Sequence, residues 1–169
     1  MESHQSLNLY QTQLKMKKVI FLLALISSLS FYAQNYAALD KALDKLENRT
    51  KKGKEAGDYD LRNKKFVLVE DFDDHSERHI LQFNNDNSLM LIEVIDDKAD
   101  DKSFSNIFSG DYVKKRNAVS VRADKLEGKK ISVPITHNLY VMNANNIWYL
   151  KDINSNKRWI ENSSLNKKN

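Results

Sequence analysis

NLYVMNANNIWYLKD, residues 138–152, is two short apolar runs separated by a cluster of asparagines. Residues 139–142 and 147–151 are rich in aromatic and branched side chains, which suit a pleated strand. Asparagine tolerates positive φ and bonds its own backbone, so 143–146 reads as a turn. In the second run Trp148 and Leu150 share one face, while Ile147 and Tyr149 share the other. A connection this short excludes a crossover helix, so the two strands pair antiparallel.

The same pattern extends outward in both directions. Strands are expected over 66–72, 79–83, 89–95, 112–114, 118–122, 130–135 and 158–160. Segment 104–108 fits a short strand or a helical turn. Residues 73–77, 84–88, 96–102, 136–138 and 154–156 read as connections, and Arg116-Asn117 as a hairpin turn. Pro134, the only proline, belongs at a sheet edge or a bulge. About eight closely spaced strands imply an antiparallel meander or a small barrel.

Ahead of the strands the period is 3.6. Leu39, Ala42, Leu43 and Leu46 make one apolar stripe, Tyr36 extends it, and Asn35 can cap a helix over 35–52. The charged residues on its other face carry both signs, which is poor for a membrane surface. Gly53 and Gly57 stop this helix and open a linker over 53–62. The expected fold is therefore α+β: an N-terminal amphipathic helix packed on an antiparallel β-meander or small barrel of about eight strands.

The first residues read as an address. Lys17 and Lys18 follow Met16, an apolar run fills 19–29, and Ala33 suits the position before a signal-peptidase cut. The run is shorter than the roughly 20 residues a membrane span needs. This divides the chain into a non-native extension (1–15), a signal peptide (16–33), helix and linker (34–62), a β domain (63–161) and a disordered tail (162–169). Cleavage near Ala33 would deliver the protein to the periplasm or outside the cell, without stable membrane insertion.

Composition narrows the chemistry. There is no cysteine, which excludes disulfides, thiolate metal sites, a cysteine nucleophile and a lipidated cysteine. The whole chain carries 27 Lys+Arg against 23 Asp+Glu. Without residues 1–33 these become 24 and 22, so no basic excess points to nucleic acid.

SGDYVKKRNAVSV (109–121), KKISVPI (129–135), NLYVMNANNIWYLKD and KRWI (157–160) together resemble the strand succession of small lipocalin-like exported proteins. The segment FYAQ at 31–34 is similar to signal-peptide ends of exported Bacteroidota proteins. The resemblance implies a β-barrel that binds a small ligand inside. Where lipocalins open with Gly-x-Trp, this chain has Asp58-Tyr59-Asp60.

The densest set of chemically active side chains is DFDDHSERH, residues 71–79. On an unbroken strand Asp71, Asp73, His75, Glu77 and His79 would share a face, and imidazoles with carboxylates ligate Zn²⁺. Asp73, His75, Glu77 and His79 are the candidate metal residues; with 73–77 as a turn they would instead splay into solvent. Asp96, Asp97, Asp100 and Asp101 crowd one loop, but the spacing lacks the glycine and final glutamate of an EF-hand. Tyr140, Trp148, Tyr149 and Trp159 concentrate aromatic surface and are the candidate ligand-binding residues. His137 falls in a turn and reads as structural. No Gly-x-Ser-x-Gly elbow and no HExxH occur, and glycines are too few for phosphate-cradling loops.

The expected function is a non-catalytic binding protein of the cell envelope that takes a small apolar ligand and needs no cofactor. Two alternatives remain open. One is a protein-binding inhibitor or immunity-type factor. The other is a metal-dependent hydrolase built on His75 and His79.

Overall fold

The computed structural model describes residues 29–50, 54–55, 58–100 and 102–166. Among the described residues two helices and nine strands follow in chain order: α1 (Leu29–Thr50), β1 (Lys54–Glu55), β2 (Lys65–Asp71), β3 (His75–Phe83), β4 (Ser88–Asp97), β5 (Ser103–Lys115), β6 (Ala118–Leu126), β7 (Lys129–Ala144), β8 (Ile147–Asp152), β9 (Arg158–Glu161) and α2 (Asn162–Leu165). Contacts divide the chain into two units, Met1–Asn35 and Tyr36–Asn169. The second holds all nine strands. The expected extension and most of the expected signal peptide lie outside the described residues.

Strands β2 to β9 form a closed antiparallel barrel in which each strand pairs with the next and β9 returns to β2. Short β1 adds to β7. Closure rests on two residue pairs, Phe66↔Glu161 and Val67↔Ile160. Beyond them, β2 residues from Leu68 to Asp71 pair only with β3.

Alternation along each strand selects the interior. Phe66 packs edge to face on Phe83 at 5.9 Å, and Phe83 does the same on Tyr112 at 4.8 Å. Leu81, Leu89, Leu91, Leu139, Val141 and Leu150 bury fully beside them. At this end Tyr59 stacks on Trp148 with centroids 4.1 Å apart, and Leu61 and Leu165 are buried. Burial, and then the neighbouring Glu161 carboxylate, pushes the Tyr59 hydroxyl well above the usual phenol range. Side chains thus fill the apolar half of the barrel.

Tight turns use the residues that positive φ demands. Asn145 and Asn146 both have φ near +60°, the two-residue hairpin geometry whose twist matches antiparallel strands. Gly110 answers a different need. The β5–β6 register shifts between Ser109 and Gly110, and a Cβ at Gly110 would lie 1.9 Å from the Arg122 carbonyl oxygen.

Several expectations need correction. Segments 104–108 and 112–114 are one strand: β5 runs unbroken past Gly110, and the register shift there is taken up by Asp124, the extra residue of β6. Residues 136–138 are not a turn but the middle of β7, with His137 opposite Val121. The interruption sits earlier: β6 pairing jumps from Ala123↔Ile135 to Lys125↔Lys130, and Pro134 falls inside that bulge. The turn expected over 73–77 is shorter. Phe72 N–H donates to the His75 carbonyl at 2.9 Å, and β3 begins at His75. Asn35 does not cap a helix; it lies within α1. The tail expected to be disordered over 162–169 instead forms α2, because Leu165 buries its side chain. Residues 167–169 lie outside the described residues.

In α1, Tyr36 and Leu43 are buried. The Tyr36 hydroxyl donates to the Arg158 carbonyl at 2.6 Å. The Arg158 guanidinium donates to Asp40 at 2.9 Å and to Asp44 at 2.7 Å.

Candidate functional site

The other end of the barrel is polar. There β3 sets His75, Glu77 and His79 two residues apart, on the face that continues into buried Leu81 and Phe83. The register brings Glu70 of β2 directly opposite Glu77, and Glu93 of β4 directly opposite His79. Carboxylates therefore converge on these histidines from both neighbouring strands.

The contacts form a chain. His75 donates from Nδ1 to Asp74 at 2.6 Å and lies 3.2 Å from Glu77 through Nε2. Phe72 stacks on the His75 ring at 4.6 Å. The other oxygen of Glu77 lies 3.0 Å from His79 Nε2. That same nitrogen is 3.9 Å from Glu70, while His79 Nδ1 is 3.7 Å from Glu93. Lys157 Nζ sits 2.7 Å from the Glu70 carboxylate.

These neighbours shift proton affinities. The hydrogen bond to Asp74 holds the His75 imidazole above its usual value, and Glu77 adds to this. Hydrogen bonds from His79, and then from His75, hold the Glu77 carboxyl below the usual carboxylate range.

A cavity of about 320 Å³ opens beside this chain, between β2 and the β8–β9 loop. Leu68 and Trp159 supply its apolar surface; Glu70, His79, His137, Asp152 and Lys157 supply charge and hydrogen-bonding groups. Both imidazoles meet Trp159 edge to face, His79 at 6.0 Å and His137 at 5.4 Å. His137 Nδ1 is 3.2 Å from Asp152 Oδ2. The second oxygen of Asp152 accepts the backbone N–H groups of Asn154 and Ser155 and so fixes the β8–β9 loop. Burial acts to raise the Asp152 carboxyl, but the Ser155 and Asn154 amides together with His137 outweigh it and hold the group below its ordinary value.

No family model, curated protein or solved structure matches the chain.

Of the candidate metal residues, His75, Glu77 and His79 come together, and Asp73 does not: it is exposed in the turn before β3. Of the candidate ligand-binding aromatics, Trp159 lines the cavity. Trp148 stacks on Tyr59 at the filled end, Tyr149 is fully buried, and Tyr140 is partly exposed. The acidic loop does not gather around one point among the described residues. Asp96 pairs with Arg78, Asp97 accepts the Ala99 and Asp100 amides, and Asp100 pairs with Lys102.

Sequence reasoning missed Glu70, Glu93, Asp152 and Lys157. For two of them a signal was present. Glu70 alternates with Phe66 and Leu68, and Glu93 with Leu89 and Leu91, so each carboxylate occupies a core-facing position of its strand.

Proposed function

We propose that this protein is an exported, lipocalin-like binding protein that holds a small ligand in the polar cup over Trp159 without transforming it. The observation that carries this reading is the division of one barrel into a packed apolar half and an open cavity of about 320 Å³. That volume lies at the lower end of small-molecule sites. Its lining argues for a ligand with an apolar face against Trp159 and Leu68, and with hydrogen-bond donors or positive charge toward Glu70 and Asp152. A wholly apolar ligand would strip water from these carboxylates without repayment in hydrogen bonds. This replaces the wholly apolar ligand expected from the lipocalin-like strand succession and its aromatic residues.

Export rests on Lys17-Lys18, the apolar run behind them and Ala33. The apolar stripe of α1 and the Arg158 pairs support the helix as a cover for the outer wall. A second reading, a protein partner, is favoured by exposed Phe104 and Val133, at 60% and 77% exposure, the first where β5 runs beyond its pairing with β6 and the second in the β6–β7 bulge.

Native mass spectrometry of protein purified from its own host's envelope tests the ligand reading. We expect a retained small-molecule adduct that His137→Gln weakens. An adduct-free protein, or co-purification with one stoichiometric protein, would turn the reading to the second alternative. N-terminal sequencing of the same material should begin near residue 34.

A further inference from the structure

We propose that Glu70, Glu77 and His79 form a binding site for a divalent metal ion of the Zn²⁺ class at the rim of the barrel. One ligand atom from each lies within 4.8 Å of the others. Among the described residues no other group of three metal-ligating side chains is this close.

Three independent features carry the assignment. The first is placement. Glu70 and Glu77 are directly opposed across β2 and β3, where like charges destabilise a sheet unless a cation sits between them. Glu93 adds a third carboxylate around the same imidazole. Lys157 neutralises Glu70 only, and all three carboxylates are about three-quarters shielded from solvent. The second is donor chemistry. One imidazole nitrogen with two carboxylate oxygens suits Zn²⁺ better than Ca²⁺ or Mg²⁺, which prefer oxygen alone. The third is orientation. Nε2 of His79 faces the two proposed carboxylate ligands, while Nδ1 faces Glu93. A carboxylate on the far nitrogen is the arrangement that fixes the tautomer of a metal-bound histidine.

His75 holds the second oxygen of Glu77, so it positions that carboxylate. Three protein donors leave a coordination position open toward the cavity. Lys157 competes with the metal for Glu70, since its ammonium occupies the carboxylate the ion needs. The site stands whether or not an organic ligand occupies the cup.

Calorimetry with Zn²⁺ alone, and the visible spectrum of the Co²⁺-loaded protein, test the proposal on the purified full chain. One equivalent should bind and raise the unfolding temperature. His79→Gln and Glu77→Gln should each weaken binding by at least about tenfold, and Glu93→Gln by about tenfold as an orienting partner. Lys157→Met should tighten binding, by roughly fivefold for the loss of one exposed ion pair. This gain cannot arise from misfolding. Glu70→Gln provides the loss-of-binding test at the rim if a β3 variant fails to fold. Absence of Zn²⁺ binding, equal affinity for Ca²⁺, or binding unchanged in His79→Gln and Glu70→Gln would overturn the proposal. Glu70, His79 and Lys157 also line the cup, so the adduct is judged separately, by native mass spectrometry of the native chain and His137→Gln, and its absence would leave Zn²⁺ binding untouched.

Discussion

The His79 ring stands edge to face against Trp159, with centroids 6.0 Å apart and planes inclined at 70°. This contact joins the rim, where carboxylates gather, to the floor of the cavity. It also places an optical reporter beside the proposed metal site. The chain has two tryptophans, and the other, Trp148, lies against Tyr59 at the filled end.

Paramagnetic Cu²⁺ should therefore distinguish the two indoles. In Trp148→Phe, where only Trp159 emits, we expect stoichiometric Cu²⁺ to quench most of the fluorescence. In Trp159→Phe the remaining emission should change little. Equal quenching in both variants, measured by titration at neutral pH, would place the bound ion elsewhere.

Acid should weaken the cavity wall through Asp152. Its folded-state carboxyl lies below the ordinary value of 3.8, so its contribution is fully present above that value and is lost as pH falls through the lower folded one. Asp152→Asn keeps a side-chain oxygen for the Asn154 and Ser155 amides but removes the charge. Urea midpoints measured between about pH 5 and pH 2 should fall less steeply for this variant than for the native chain. Parallel curves would show that Asp152 is not a source of the acid sensitivity.

Gly110→Ala should be costly for a reason that has nothing to do with helix or strand propensity. Its Cβ would meet the Arg122 carbonyl oxygen and the Ala123 Cα, both backbone atoms that no rotamer change can move. Forced separation of β5 from β6 should cost at least about 1–3 kcal/mol. Gly128 is the control. It has φ +81° but open space around a new Cβ, so Gly128→Asn, which tolerates that backbone, should cost less. Denaturant unfolding that ranks the two equally would contradict the bulge account.

Arg158 ties α1 to the start of β9 through Asp40 and Asp44. Arg158 is 11% exposed and Asp44 56% exposed, so the two ends of this bridge differ in worth. Arg158→Met, which keeps the aliphatic stem, should cost about 1 kcal/mol, and Asp44→Asn close to nothing. Thermal unfolding of the pair checks the order; a larger loss from Asp44→Asn would reverse it.

The sequence carried the barrel more clearly than the site. Alternation and asparagine turns locate most strand pairs, because side-chain period and positive-φ chemistry are local properties. The misread places are those where register is settled between strands. Thr136-His137-Asn138 resembles a turn, yet β6 carries it as strand, and the bulge around Pro134 absorbs the irregularity. Likewise His75, Glu77 and His79 were visible as a set sharing one face, but their partners were not. Glu70 and Glu93 reach His79 only through pairings that depend on where the turns at 72–74 and 84–87 fall. Asp152 ends β8 and Lys157 lies in the loop that follows; which cavity wall they join depends on β8 pairing with β7, a long-range match.

The two residue pairs that join β9 to β2 have a consequence for how the chain matures. Synthesis, like passage through a translocation channel, proceeds from the N-terminus, so the partner for Phe66 and Val67 is among the last strands to emerge. Until residue 161 is free, β2 offers an unmatched backbone edge to any other chain nearby. Pairing of that edge with another chain is a misassembly hazard built into this topology, and a chaperone that shields it would act on the interval during which the cylinder is still an open ribbon.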